Sequence, residues 1–132
     1  ASAGHDPGLL LRADGRIAEL PSTGLVLGIL DDADWSTEAL TIGPGDRLLL
    51  TTDGVTEAFS PAGELFGRDR LADEFIAGAS QAIEECSKRI RHSIDEHCGT
   101  RVPTDDITLV VLETAETPEK GVKGTSPGEP GN

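Results

Sequence analysis

Apolar and polar residues along this chain fall into blocks of different period. From Gly8, "GLLLRADGRIAEL" gives two short apolar segments joined by Ala13-Asp14-Gly15-Arg16, and Asp-Gly between such segments predicts a β-hairpin. "PSTGLVLGILDDAD" mixes Gly24 and Gly28 with apolar residues and ends in an acidic cluster, the pattern of an irregular connection lying over a core. Alternation resumes in "WSTEALTI", where Trp35, Thr37, Ala39 and Thr41 oppose Ser36, Glu38, Leu40 and Ile42, which predicts a strand. After the turn "GPGD", the unbroken leucines between Arg47 and Thr52 predict a strand buried on both faces.

Beyond Asp53 the period lengthens. Leu71, Phe75 and Ile76 in "RDRLADEFIAG" fall at helical spacing, with Gly78 as terminator. A longer helix follows. Ser80 is its expected cap, Glu84 and Glu85 lie near its positive end, and Ile83, Cys86, Ile90 and Ile94 form one apolar stripe. Glu84 with Lys88 and Glu85 with Arg89 are four-apart pairs on a solvated face. His92 and His97 are five apart, off the four-residue spacing that presents two metal ligands on one helical face, and are expected on the surface.

"RVPTDDITLVVLE" then leads an acid pair into a β-branched strand from Ile107 to Leu112. From Thr114, "TAETPEKGVKGTSPGEPGN" has Gly or Pro at seven of nineteen positions and Val122 as its one large aliphatic residue. Such a segment buries too little apolar area to offset its ordering entropy. The expected organisation is one domain over residues 1–113 and a disordered tail over 114–132.

Composition narrows the function classes. A formal charge of −13, from 24 acidic against 11 basic residues, repels phosphate backbones and anionic bilayers, so neither nucleic acid nor membrane is an expected partner. No stretch approaches the roughly 20 apolar residues of a membrane span, and the first residues do not resemble a secretion signal. A cytoplasmic protein is expected. Cys86 and Cys98, twelve apart in one expected helix, are separated by about 18 Å along its axis, beyond disulfide reach. They are expected to be free thiols.

The candidate chemistry rests on two acids. Asp53 ends one buried strand, while Asp105 and Asp106 precede another. If those strands are antiparallel neighbours, the carboxylates emerge at the same end of the sheet and are expected to face a common pocket. Their mutual repulsion then calls for a proton or a cation, and clustered carboxylates without histidine or thiolate suit a hard ion such as Mg²⁺ or Mn²⁺. Spacing alone leaves open that these are two unrelated turn acids, because Asp-Gly readily makes a tight turn.

Five blocks in order weigh on that choice: "AGHDPGLLL", "LPSTGLVLGIL", "PGDRLLLTTDGVTEA", "ELFGRDRL" and "DDITLVVL", spread over residues 3–112. Together they resemble the bacterial branch of the metal-dependent PPM (type 2C) serine/threonine phosphatases, the branch of stage II sporulation protein E and the sigma-regulator phosphatases. The resemblance implies an α+β fold, a β-sandwich of antiparallel sheets flanked by helices with two Mn²⁺ or Mg²⁺ ions at one edge. It implies Asp53 and Asp105 as metal ligands, with Asp106 supporting them where many relatives carry asparagine. The implied reaction is hydrolysis of a phosphomonoester by metal-activated water, with no side-chain nucleophile. The implied substrate is a phosphoserine or phosphothreonine on a regulatory protein such as an anti-anti-sigma factor.

Two departures qualify that expectation. The family's first metal block, a Gly-Asp followed by a further aspartate, has no counterpart here, since Gly45-Asp46 belongs to the turn before "RLLLTTDG". The chain is therefore expected to be the C-terminal part of the domain, with its N-terminal half absent, an unpaired strand and an exposed apolar face. Ser2 also replaces an asparagine at the start of the "AGH" block. His5 of that block could donate a hydrogen bond near a phosphate site, while the favoured reading is that Gly4-His5-Asp6-Pro7 simply turns the chain into the hairpin. The remaining alternative is an inactive phosphatase-like module that binds a signalling partner.

Overall fold

The computed structural model describes residues 1–115. The tail expected from Thr114 otherwise lies outside the described residues. Thr114 itself is anchored: its N–H donates to Asp46 O and its carbonyl accepts from Gly45 N, both at 3.1 Å.

Four strands form one antiparallel sheet in the order β2-β1-β3-β4. They are β1 (Gly8–Leu11), β2 (Ile17–Leu20), β3 (Arg47–Thr51) and β4 (Leu109–Glu113). The hairpin is the expected one, with Leu11 opposite Ile17 and the Arg12-to-Arg16 turn closed by Arg12 N donating to Arg16 O at 2.8 Å. β3 takes a central place, pairing Leu49 with Leu9 on one side and with Val111 on the other.

Alternation then decides what the sheet buries. Leu9, Leu11, Leu49 and Val111 point to the face covered by α2 (Arg68–Ala77) and α3 (Ile83–Cys98), where they join Phe75, Cys86, Ile90 and Ile94 in one core. The five leucines and isoleucines of this group, each moved from water, stabilise the fold by about 1.5–3 kcal/mol apiece. Both cysteines are free and buried on the inner face of α3.

The opposite sheet face corrects one expectation. Leu48 is half-buried and Leu50 is 36% exposed, so β3 is buried on one face rather than two. Val110 and Leu112 are exposed on the same side, the exposed apolar face that was anticipated.

Other boundaries also differ. Residues 35–42 form no strand; among the described residues their backbone is tied by Ser36 N to Thr23 O and by an Arg12 bond to Thr41 O, and no ladder stabilises them. β4 starts at Leu109 rather than Ile107, because Thr108 N donates to the Thr52 hydroxyl at 3.0 Å instead of to a ladder carbonyl. Ser80 caps nothing: α3 begins at Ile83 after Ala82, whose side chain has no capping group. Ile76 is exposed, leaving Leu71 and Phe75 as the buried pair of α2. The expected four-apart ion pairs are replaced by Lys88 with Glu85 at 2.7 Å and Arg89 with Glu74 of α2 at 2.7 Å.

Two polar groups are buried by design. Arg47 lies in the core, where it holds Glu113 of β4 at 3.0 Å and donates to the carbonyls of Gly78 and Gln81 between α2 and α3. Asp46 accepts from Arg12 Nη1, Ala13 N and Gly43 N at 2.8–2.9 Å, fastening the hairpin turn to the loop that precedes β3.

Candidate functional site

β3 delivers the chain to Thr52, which stays extended, and Asp53 then opens the short helix α1 (Asp53–Thr56). β4 is the antiparallel neighbour of β3, with Thr51 opposite Leu109. The end of β3 and the approach to β4 therefore lie side by side, the arrangement on which the two-acid reading depends.

Three contacts lock these ends together. Thr52 Oγ1 donates to Asp106 O at 2.8 Å, accepts from Thr108 N at 3.0 Å, and Thr52 N donates to Thr108 O at 3.2 Å. Gly54 is buried against the same segment, so closely that a Cβ there would lie 2.4 Å from Asp106 O and 3.4 Å from Asp105 C. Glycine is required at this point by the approach of another backbone. At the end of this apolar strand Asp53 is exposed, while Gly54 lets the second acidic segment come alongside.

Asp53 forms part of the wall of a cleft of about 290 Å³ together with His5, Asp6, Val26 and Thr52. Asp105 is not part of that wall. Asp105 Oδ1 instead accepts from Asp106 N at 2.7 Å, and Asp105 and Asp106 are both exposed. Asp53 and Asp105 thus stand on adjoining segments that meet through Thr52 and Gly54, and both are exposed.

The segment before β1 closes the other side. Asp6 Oδ2 accepts from the Thr56 hydroxyl at 2.9 Å, joining it to α1. His5 Nδ1 lies 2.8 Å from Asp6 O; with a carbonyl as partner, Nδ1 carries the proton and Nε2 is left as the free ring nitrogen. His92 is exposed beside Glu96 at 3.5 Å. His97 bonds to Glu64 O at 2.9 Å and to Arg70, and packs edge-on against Phe66, a structural role away from the cleft.

Asp53 and Asp105 are hard oxygen donors, right in kind for Mg²⁺ or Mn²⁺. Such an ion takes about six ligands, and among the described residues no group of three or more His, Cys, Asp or Glu is arranged to hold a metal. The two acids fit as members of a coordination shell, not as a complete one. Sequence reasoning missed Thr52 and the Asp6–Thr56 tie; the hydroxyls act on partners 54 and 50 residues away, and no local pattern marks them. Among the described residues, no helix is long and apolar enough to cross a membrane.

Known proteins resemble this chain in sequence and in fold. The chain is 36% identical over 111 residues to Protein IcfG of Synechocystis, covering 84% of this chain and 17% of that protein. It is 36% identical over 115 residues to the phosphoserine phosphatase RsbU of Bacillus subtilis, covering 85% and 33% respectively. The chain thus spans a third or less of the curated relatives it matches. Its fold superimposes on the SiaA-PP2C domain of Pseudomonas aeruginosa with a TM-score of 0.69 at 24% identity, covering 84% of this chain and 44% of that one. The fold is that of the PP2C-type phosphatases. With the family model for stage II sporulation protein E matching residues 1–115, the chain belongs to the stage II sporulation protein E family.

Proposed function

We propose that this chain supplies the Asp53 and Asp105 edge of a metal-dependent phosphatase domain that hydrolyses phosphoserine or phosphothreonine on a regulatory protein, such as an anti-anti-sigma factor. The observation that carries the reading is the β3–β4 pairing, which brings the Asp53 and Asp105 segments together around Gly54. Kinship with a phosphoserine phosphatase supports the reaction class.

Asp53 and Asp105 would hold divalent ions, Mn²⁺ or Mg²⁺, through their open carboxylate oxygens. Bound there, such ions neutralise phosphoryl oxygens and make water nucleophilic near neutral pH. The chain's own part is positioning. Thr52 fixes the spacing of the two acidic segments through its paired bonds to Asp106 and Thr108, and rigid strands hold both against the repulsion of like charges. His5, with Nδ1 donating to Asp6 O, presents Nε2 on the cleft wall as a hydrogen-bond acceptor for a water or a substrate O–H. Asp6 supports that wall through Thr56.

A second reading, a non-catalytic module that recognises a signalling partner, draws on the incomplete donor set. A chimera separates the two: residues 1–115 replace the matching segment of RsbU, whose own remainder completes the domain. Mn²⁺-dependent, chelator-sensitive hydrolysis of p-nitrophenyl phosphate and of a phosphoserine protein is expected. Asp53→Ala and Asp105→Ala should each lower kcat/KM by at least about 100-fold, the scale set by misplaced catalytic groups. The 132-residue chain by itself should bind Mn²⁺ weakly and show little turnover. Undiminished rates in both variants would reject the ligand assignment, and an inactive, folded chimera would favour the binding module.

A further inference from the structure

Asp105 is carried by the loop of residues 99–108, between the end of α3 at Cys98 and the start of β4 at Leu109. From Gly99 to Asp106 every residue of that loop is exposed, Val102 at 80%. A side chain on such a loop has few packed neighbours to hold it, whereas a metal ligand must keep its place to within about 0.5 Å. Its position has to come from specific ties.

Two ties meet that need. Downstream of Asp105, Thr52 Oγ1 engages Asp106 O and Thr108 N. Upstream, Arg101 reaches across to the turn that follows α1: its guanidinium carbon lies 4.9 Å from the centroid of the Phe59 ring, and Nη1 donates to Ser60 O at 3.3 Å. Among the described residues, this is the one side-chain hydrogen bond that fastens residues 99–104 to the body of the fold.

The platform under Arg101 is firm and leads back to Asp53. Phe59 bridges Leu65, while Ser60 N donates to Glu64 O at 2.8 Å, Gly63 N to Ser60 O at 2.9 Å and Phe66 N to Ala58 O at 2.7 Å. Ala58 and Phe66 belong to the core, and Gly67 N donates at 3.0 Å to the carbonyl of Thr56, which closes the helix that Asp53 opens. The two acidic segments are thus joined twice, through Thr52 and Gly54 on one side and through Arg101 on the other. One tie leaves a hinge, and two fix an orientation. Every member of this ring belongs to the chain itself.

Shape, beyond charge, accounts for an arginine here. A guanidinium is flat, so it can stack on an aromatic ring and at the same time donate from its edge to a carbonyl. The ammonium of lysine is a compact point charge that faces the ring or bonds the carbonyl, not both in this geometry.

We infer that Arg101 is a positioning residue for the metal-binding acid: by stacking on Phe59 and bonding Ser60 O, it sets where the Asp105 loop stands relative to Asp53. The inference rests on the phosphatase reading for the role of Asp105, while the clamp itself is formed without metal.

The test has a metal-free arm and a metal arm. In the metal-free 132-residue chain, ¹⁵N relaxation should give the amides of Val102, Thr104, Asp105 and Asp106 order parameters near the rigid value of about 0.85, falling below about 0.6 in Arg101→Lys, Arg101→Gln and Phe59→Leu. Amides of β3 and α3 should stay at the parent values, which separates a loosened loop from general unfolding. Should Phe59→Leu fail to fold, the two variants at the exposed Arg101 carry this arm.

In the RsbU chimera, Arg101→Lys and Phe59→Leu should each raise the Mn²⁺ concentration at half-saturation about tenfold, the low end for residues that orient a metal ligand. The electron spin resonance of free Mn²⁺ reads this without turnover. Excess Mn²⁺ should restore kcat, with KM for p-nitrophenyl phosphate unchanged. The double variant should lose no more than either single one, because both changes remove the same contact.

An Arg101→Lys chain that matches the parent in both arms would overturn the inference, since charge alone would then suffice, and so would additive losses in the double variant. A loop that loosens while Mn²⁺ affinity keeps its parent value would reject the metal role of Asp105 and with it the phosphatase reading, leaving the clamp. A loop that stays ordered in the variants, while Asp105→Ala still weakens Mn²⁺ binding, would reject the clamp and leave the metal reading.

Discussion

Replacing Gly54 by alanine tests the central contact of the site. The new Cβ would stand 2.4 Å from Asp106 O and 3.1 Å from Asp106 C, where ordinary carbon–oxygen contact needs about 3.4 Å or more. The two segments must therefore separate by about 1 Å. The obstructing atom is a main-chain carbonyl, so truncating a neighbouring side chain cannot relieve it. Overpacking of this kind costs about 1–3 kcal/mol, and weakening the Thr52 bonds to Asp106 and Thr108 adds about 1 kcal/mol for each bond lost. Restricting the unfolded chain returns only about 0.4–1 kcal/mol. The net expectation is a loss of about 1–4 kcal/mol, or a melting temperature lower by roughly 4–16 °C at about 4 °C per kcal/mol for a chain of this size. Urea denaturation of the 132-residue chain measures it, with the exposed neighbour change Glu57→Ala as a control expected within about 0.5 kcal/mol of the parent. In the RsbU chimera the same separation should weaken Mn²⁺ binding. A Gly54→Ala chain as stable as the parent would refute the claim that the Asp53 and Asp105 segments are held in contact.

Other outcomes follow from the buried polar groups and thiols. Arg47→Ala removes bonds to Gly78 O, Gln81 O and Glu113 and should cost about 2–4 kcal/mol; Glu113→Gln, whose side chain is 39% exposed, should cost about 1 kcal/mol or less after solvent screening. Chemical denaturation ranks the two, and equal losses would contradict the anchoring role of Arg47. Hydrogen bonds from Gly43 N and Ala13 N, with the Arg12 guanidinium, hold the Asp46 carboxyl below its ordinary value of 3.8. Since its folded value is the lower one, this stabilisation is present in full above the unfolded value and is lost as pH falls from about 3.8 through the folded value. Melting curves of Asp46→Asn and the parent should differ most near neutral pH and converge in acid; a gap that widens in acid would reverse the sign. Burial pushes the Cys86 thiol up, so disulfide reagents should modify it at the rate of unfolding, and immediate reaction in the native chain would show that the α3 face is open.

Much of the fold was legible because local chemistry and tertiary demand agree there. Asp14-Gly15 makes the hairpin, the Leu71/Phe75 and Cys86/Ile90/Ile94 spacings make two helices, and the leucines of β3 find partners on both sides. "WSTEALTI" alternates as well as any strand, yet without a hydrogen-bonding neighbour alternation has nothing to act on. Ser80 had the chemistry of a cap and lay two residues too early for a helix that starts at Ile83. The order of five motifs singled out the Asp53 and Asp105 segments, and the strands they adjoin are neighbours. What holds them was not legible, because Thr52 and Gly54 act on Asp106, and Asp6 acts on Thr56, across distances in sequence that no period encodes.

The pairing of β3 with β4 also sets an order of events during synthesis. Thr51 meets Leu109 only after α2 and α3 have been made, and those two helices pack on each other through local contacts available much earlier. Non-local strand pairing is slow because the long intervening loop must close first. On the ribosome, Asp53 would wait beside an open edge of β3 until the last described strand emerged. This edge is therefore the final part of the sheet to be assembled, and a chain interrupted before Leu109 would carry its two helices beside an unpaired edge of β3.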